Sequence, residues 1–265
     1  MKIGFIGLGN MGKAIIEGLL TKKAVKPMDI IVHSAHVSNY QTYADKFELA
    51  TANTNLDVAK NVDVLVLAVK PELKTEILTE VKPALVTGKV AVLSLLTGVS
   101  LADLAEITGS QVPFVRVMPN LNVRIGAGIT AIAANKVALV SAAATAKLLF
   151  SEIGEVITLP EQDFSTFVAL AGSAPAFAYL FMDALAHAGV KYGLSKAQSL
   201  RIVSQMVVGS AQLIQQSGEA PWNLIDQVSS PGGTTIAGVL ALQEAGFETA
   251  ITKAVDAMIK KDLGE

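Results

Sequence analysis

The sequence predicts two parts: an α/β part with a mostly parallel sheet over residues 1–160, and an all-helical part over residues 161–265. Three observations carry this. Short β-branched runs alternate with helical patterns through the first part, as parallel strand–helix–strand units do. A glycine-rich turn joins the first strand to the first helix near the N-terminus. The β-type runs then stop near residue 160, and the apolar spacing is helical to the end. A chain of 265 residues is long enough for two domains with separate cores.

Strands are expected at Lys2–Ile6, Ile30–His33, Val64–Ala68, Val90–Ser94 and Phe114–Val117, with Gly128–Ala133 and Val156–Leu159 adding to the sheet. Most are unbroken apolar runs, as strands covered by helices on both faces must be. Lys70-Pro71 leaves the Val64–Ala68 strand and starts a helix. Pro71 reads as a first-turn proline, and Lys70 stands at the carboxyl end of a strand, on the crevice side of such a sheet.

In the second part, helices are expected over Glu161–Tyr192, Ser195–Ser217, Pro221–Val228, Thr234–Ala245 and Phe247–Lys261. No charged residue stands between Asp163 and Asp183, a stretch long enough to raise a transmembrane reading. Gly172, Ser173 and Pro175 interrupt it, Ser165 and Thr166 are polar, and no Lys/Arg cluster flanks it. The stretch reads instead as a core helix. A small helical domain gains by burying such a helix against another subunit, so an obligate homodimer and no membrane partner are expected.

Composition narrows the classes further. The net charge of −2, with 17% charged residues, leaves no basic face for nucleic acid. With no Cys and three His, neither a disulfide framework nor a metal site is expected, so the chemistry must come from a cofactor. A strand begins at Lys2 without the charged and apolar regions of a secretory leader, which places the protein in the cytoplasm as an expectation.

Gly7-Leu8-Gly9-Asn10-Met11-Gly12 follows the apolar run Ile3–Ile6 and opens the helical stretch Met11–Leu20. Gly7 permits the tight turn, Gly9 lets a pyrophosphate touch backbone, and Gly12 allows close helix–strand packing. In that context the run predicts a Rossmann-type dinucleotide-binding domain. An NAD enzyme places an Asp or Glu on the ribose hydroxyls about 20 residues after the glycines. Here the second strand ends in His33-Ser34-Ala35-His36, and Asp29 lies at its wrong end. Ser34 could hydrogen-bond a 2′-phosphate, so NADP is the expected cofactor, with NAD as the alternative. No Arg stands there to grip the phosphate with two bonds. His33 and His36 read as solvated loop residues.

A second motif, Ser229-Ser230-Pro231-Gly232-Gly233-Thr234-Thr235, leads into a helical pattern. Its glycines allow close approach, and the N–H groups of the following turn have no partner of their own. Read alone it is a helix start with a hydroxyl cap; with a cofactor site at the other end of the chain, it reads as a place for a small carboxylate.

With both motifs placed, the chain resembles the pyrroline-5-carboxylate reductases over its whole length. The resemblance rests on Gly4-Phe5-Ile6-Gly7-Leu8-Gly9-Asn10-Met11-Gly12, Ala68-Val69-Lys70-Pro71, Arg116-Val117-Met118-Pro119-Asn120, Gly172-Ser173-Ala174-Pro175-Ala176-Phe177 and Ser230-Pro231-Gly232-Gly233-Thr234-Thr235-Ile236. It implies an all-helical dimerisation domain at residues 161–265, interlocked dimers that assemble further, commonly into decamers, and reduction of the small-molecule substrate (S)-1-pyrroline-5-carboxylate to L-proline. Carried over by position, Gly7, Leu8, Gly9, Asn10 and Met11 would hold the pyrophosphate, Ser34 the adenosine phosphate and Asn55 the adenosine side. Ala68, Lys70, Met118, Pro119 and Asn120 would line the nicotinamide end. Ser229, Ser230, Gly232, Gly233 and Thr234 would take the substrate carboxylate, with backbone N–H groups from Gly232 to Thr234. The Thr235 hydroxyl would serve as the catalytic hydrogen bond to the ring nitrogen. The family usually has Gly where Ala174 stands, Thr-Pro where Leu121-Asn122 stand and Glu where Lys253 stands, and an Arg after the second strand that is absent here.

Two other classes compete. A β-hydroxyacid dehydrogenase of the same design would need a Lys on the first long helix of the second domain, and none occurs from Glu161 to Val190, with Lys191 only near its end. A cofactor-binding regulatory protein without turnover is the other. His187, one turn after Asp183, reads as a structural pair rather than a general acid.

Overall fold

The computed structural model describes residues 1–264. Along the first part run β1 (Ile3–Ile6), α1 (Asn10–Thr21), β2 (Ile30–His33), α2 (Val37–Phe47), β3 (Ala50–Thr51), α3 (Asn55–Lys60), β4 (Val64–Leu67), α4 (Lys74–Leu85), β5 (Ala91–Ser94), α5 (Leu101–Thr108), β6 (Phe114–Pro119), β7 (Gly128–Ala134), α6 (Ala142–Ser151) and β8 (Gly154–Thr158). All residues of β1 and β4 are buried, which accounts for their unbroken apolar runs. On α1, Ala14, Ile15, Ile16 and Leu19 face the sheet at helical spacing. The starts of α3 and α5 are set by capping hydroxyls: Thr54 Oγ1 accepts from Asp57 N at 3.0 Å, and Ser100 exchanges bonds with Asp103 at 3.1 and 2.8 Å. The bonds from Ser100 hold the Asp103 carboxyl below the usual carboxylate range.

The strands form one sheet in the order β3-β2-β1-β4-β5-β6-β7-β8. Neighbours from β3 to β6 are parallel, with Ile6 opposite His33 on one side and Leu67 on the other. The direction of strand succession reverses between β1 and β4, where open α/β sheets bind their ligands. β7 departs from the expected parallel pattern: it pairs antiparallel to β6, Val117 opposite Ile132, and β8 then pairs parallel to β7. The link from Pro119 to Gly128 is a 3₁₀ turn (Leu121–Ile125), too short for a crossover helix, so the strand must fold straight back. That turn packs on α1, where a side chain at Gly18 would collide with the Val123 carbonyl.

The helix expected at Glu161–Tyr192 is broken. It comprises a 3₁₀ turn (Glu161–Asp163), α7 (Phe164–Phe167), a π-helical stretch (Val168–Ser173) and α8 (Pro175–Lys191). Pro175 has no N–H to donate and crowds the preceding turn, which ends the regular ladder there. Ala174 has ordinary right-handed backbone, φ −61° and ψ −17°, and accommodates a side chain without strain.

One compact unit runs Met1–Gly172, and the second begins at Ser173. Phe164 and Phe167 belong to the core of the first unit, so the compact boundary falls beyond residue 160. The second unit contains α8, α9 (Lys196–Ser217), α10 (Pro221–Gln227), α11 (Thr234–Glu244) and α12 (Phe247–Leu263). Ser195 and Gln198 form the capping box of α9, and α8 lies against α9 with Gly189 beside Ser199. Apolar side chains here are largely exposed: Tyr179 55%, Leu180 70%, Ile202 58% and Leu240 56%. Apolar surface left uncovered on this scale marks an interaction surface.

Candidate cofactor cleft and anion turn

A cleft of about 810 Å³ opens at the switch point between β1 and β4. It gathers Gly7, Leu8, Gly9, Ser34, Asn55, Ala68 and Lys70 of the sequence-predicted residues. Gly7 turns the chain with φ +90°, its N–H donating to the His33 carbonyl at 2.9 Å, while the Ala68 N–H donates to the Ile6 carbonyl at 2.8 Å. No atom lies within 4 Å of where a Gly9 side chain would project, so the space over that residue is open. Gly9 also caps α1 without a side-chain acceptor, leaving the first N–H groups of that helix for a ligand. Asn10 and Met11 form the first turn of α1, and Gly12 sits beneath it, close to the Gly7 carbonyl and the Ala68 side chain.

At one side of the cleft, Ser34 is joined by Ser38 and Asn39 of α2 and by Lys13 of α1. These were not singled out from the sequence, because they reach the cleft through the orientation of helices rather than through a motif. Asn55 donates its amide to Glu80 at 2.6 Å at the rim. His33 is half-buried and bonds the Ala52 carbonyl through Nδ1 at 3.0 Å, and His36 is an exposed residue before α2. Lys13 also lies over the Tyr43 ring, 5.2 Å from its centre. The Tyr43 hydroxyl donates to the Lys13 carbonyl at 3.2 Å and to Glu17 at 3.3 Å, and Glu17 pairs with Arg124 at 3.0 Å. Burial, reinforced by the Glu17 charge, pushes the Tyr43 phenol well above its ordinary pKa.

Met118 and Pro119 end β6, Asn120 follows them, and all three are buried, apart from the residues that line this cleft. Both ends of the Asn120 side chain are engaged: Nδ2 donates to the Ala171 carbonyl at 3.1 Å and Oδ1 accepts from Ile129 N at 3.2 Å. On the same strand, Arg116 pairs with Glu161 at 2.8 Å and stacks over Phe164 at 4.5 Å.

In the second unit, Ser229–Thr235 forms the turn into α11. Gly232 takes the left-handed conformation, φ +70°, and Gly233 N–H donates to the Ser230 carbonyl at 2.9 Å. A side chain on Gly233 would collide with the Ser230 hydroxyl. Because Gly233 is spent on the turn itself, the free donors move forward to Thr234, Thr235 and Ile236 in the first turn of α11, which has no side-chain cap. The Ser229 hydroxyl is buried without a partner, and Thr235 is exposed. Lys191 lies at the carboxyl end of α8, outside its interior.

Residues 161–264 match the family model for pyrroline-5-carboxylate reductase dimerisation, and residues 2–98 match that for NADP oxidoreductases, coenzyme F420-dependent. Over 262 residues the chain is 37% identical to the pyrroline-5-carboxylate reductase of Escherichia coli K12, covering 98% of this chain and 96% of that protein. The chain belongs to the pyrroline-5-carboxylate reductase family. As a member of it, the protein is an NADP-dependent oxidoreductase with a C-terminal dimerisation domain. Among solved structures, the enzyme of Streptococcus pyogenes is 38% identical with a TM-score of 0.88, covering 100% of this chain and 99% of that one. The Plasmodium falciparum pyrroline carboxylate reductase, solved with NADP bound, is 30% identical with a TM-score of 0.89, covering 99% and 97%.

Proposed function

We propose that the chain reduces (S)-1-pyrroline-5-carboxylate to L-proline with NADPH, the last step of proline biosynthesis. The observation that carries this reading is the open space over Gly9 at the β1/β4 switch point, in a chain whose full length matches this family. Gly7, Leu8, Gly9, Asn10 and Met11 hold the pyrophosphate, with Gly12 packed beneath them; Ser34, with Ser38 and Asn39 beside it, takes the 2′-phosphate; Asn55, Ala68 and Lys70 complete the cleft. Bound NADPH supplies the hydride. The Ser229–Thr235 turn binds the substrate carboxylate, chiefly through N–H groups of the first turn of α11, and Thr235 hydrogen-bonds the ring nitrogen. Hydride adds to the C=N carbon and a proton to its nitrogen; an imine basic enough to arrive partly protonated needs no His or Cys acid.

The exposed apolar faces of α8 and α9 are buried in a homodimer, and dimers assemble further, a decamer being the family's common form. By length and composition the run Glu161–Lys191 would also pass as a membrane span. Its π-helical break and its place in the matched dimerisation region support burial between subunits instead. The enzyme works in the cytoplasm, without nucleic acid. Assaying NADPH and NADH oxidation side by side with pyrroline-5-carboxylate, and identifying proline as product, tests the reading. NADPH should be preferred, and Ser34→Asp should lower the NADPH-to-NADH ratio of kcat/KM about tenfold or more by repelling the 2′-phosphate. Lack of proline formation by wild type would overturn the activity, and strong wild-type selectivity for NADH would overturn the assignment of Ser34.

A further inference from the structure

We propose that Asn120 is a positioning residue for imine reduction, its amide holding the Ala171 carbonyl at the point where Pro175 interrupts the helix. The inference rests on the proposed reductase activity. In a regular helix the Ala171 carbonyl would accept from the N–H of residue 175, and a proline has none. The chain takes up π-helical form there, Val168–Ser173, a distortion that is rare in helices and frequent at functional sites. Asn120 Nδ2 supplies a donor to Ala171 at 3.1 Å. Its Oδ1 is held in turn by Ile129 N at 3.2 Å, and its own N–H by the Ile129 carbonyl at 3.2 Å, which fixes the orientation of the amide. At 5% exposure no water replaces these bonds.

The same strand holds this segment a second time. Arg116 on β6 grips Glu161 and stacks on Phe164, and Glu161 Oε1 also accepts from Leu101 N at 2.9 Å at the start of α5. The approach from Glu161 to Ala171 is therefore pinned at both ends by β6 and the residue that follows it. Between the two pins lie Met118 and Pro119. Beyond the second pin the first compact unit ends at Gly172, and the chain passes into the helices that carry the Ser229–Thr235 turn. Asn120 thus fixes the backbone at the end of the first compact unit, its side-chain amide engaged by Ala171 and Ile129.

Hydride transfer is steeply sensitive to geometry, and a misplacement of about 1 Å costs on the order of 100-fold in rate. Asn120→Leu should therefore lower kcat by roughly 10- to 100-fold. NADPH affinity, measured by nucleotide fluorescence, should stay near wild type, and the isotope effect on kcat with 4-deuterated NADPH should rise. The decisive comparison uses Pro175→Ala, which restores the N–H that a regular helix would offer Ala171. In that background the further loss from Asn120→Leu should shrink to a few-fold. An equal proportional loss in both backgrounds, or wild-type kcat in folded Asn120→Leu, would overturn the inference. Where Asn120→Leu fails to fold, Asn120→Ala, smaller and without the Nδ2 donor, carries the same comparison. An active wild type with no coupling removes this inference alone, whereas a wild type that makes no proline removes the functional reading first.

Discussion

Gly7 leaves no room for a side chain beside the Ala68 carbonyl: with Gly7 at φ +90°, a Cβ there would lie 2.6 Å from that oxygen. Gly9, two positions on, meets nothing within 4 Å. The two glycines therefore differ: the fold demands the first, whereas the proposed pyrophosphate site demands the second.

Gly7→Ala should destabilise the protein by about 1–3 kcal/mol or more, from backbone strain and the forced contact. Gly9→Val should leave the melting temperature near wild type and weaken NADPH binding by at least about tenfold, because the side chain fills the space the pyrophosphate needs. Thermal melts and nucleotide titration on both variants separate the two effects. Wild-type NADPH affinity in folded Gly9→Val would remove the proposed pyrophosphate site.

Leu180 on α8 is 70% exposed within a single chain and lies in the matched dimerisation region. Leu180→Glu would bury an unpaired carboxylate at that face, so the variant should sediment as a monomer at concentrations where wild type remains at least dimeric. A variant as dimeric as wild type would show that this part of α8 stays in solvent.

Thr235→Val keeps the shape of the residue and deletes its hydroxyl. Turnover should fall by roughly 10- to 1,000-fold, the range for losing one oriented hydrogen bond to a group whose charge changes in the reaction. NADPH affinity should be unchanged. Full activity would mean that the turn binds only the carboxylate and that water delivers the proton.

The Tyr43 phenol has its pKa raised in the folded protein, first by burial and then by Glu17. A raised folded pKa means that this contribution to stability is fully present below the unfolded value of about 10 and is lost as pH rises past it. Tyr43→Phe should cost about 0.5–1 kcal/mol at neutral pH through the lost hydrogen bonds. The gap from wild type in denaturant melts should then narrow above about pH 10. A gap independent of pH would contradict the assignment.

The buried strands were legible in the sequence because β1, β4 and β5 are continuous apolar runs bounded by turn residues, and α9 because Ser195 and Gln198 spell out its cap. β3 was missed since Ala50–Thr51 has no apolar run to betray it and exists only by pairing with Ile31 and Val32. The reversal at β7 depends on the length of a link, and the π-helical stretch on how one proline is accommodated; neither leaves a periodic mark. In the cleft, Gly7 and Gly9 could be read because backbone geometry demands glycine locally. Ser38 and Asn39 could not, since their place follows from how α2 lies beside the sheet. The commitment of Asn120 to Ala171 joins residues far apart in sequence, and only the folded chain brings them together.

The apolar, poorly covered helices α8 and α9 lie after residue 172, so they are made later than the sheet. During synthesis the sheet and its two flanking cores can close while the adhesive surface is still unmade or inside the ribosome tunnel. When α8 and α9 emerge they are tethered to a finished unit, which shortens the interval in which a single subunit exposes bare apolar faces to its neighbours. The same segments at the start of the chain would wait, uncovered, for the slow pairing of a long-range parallel sheet.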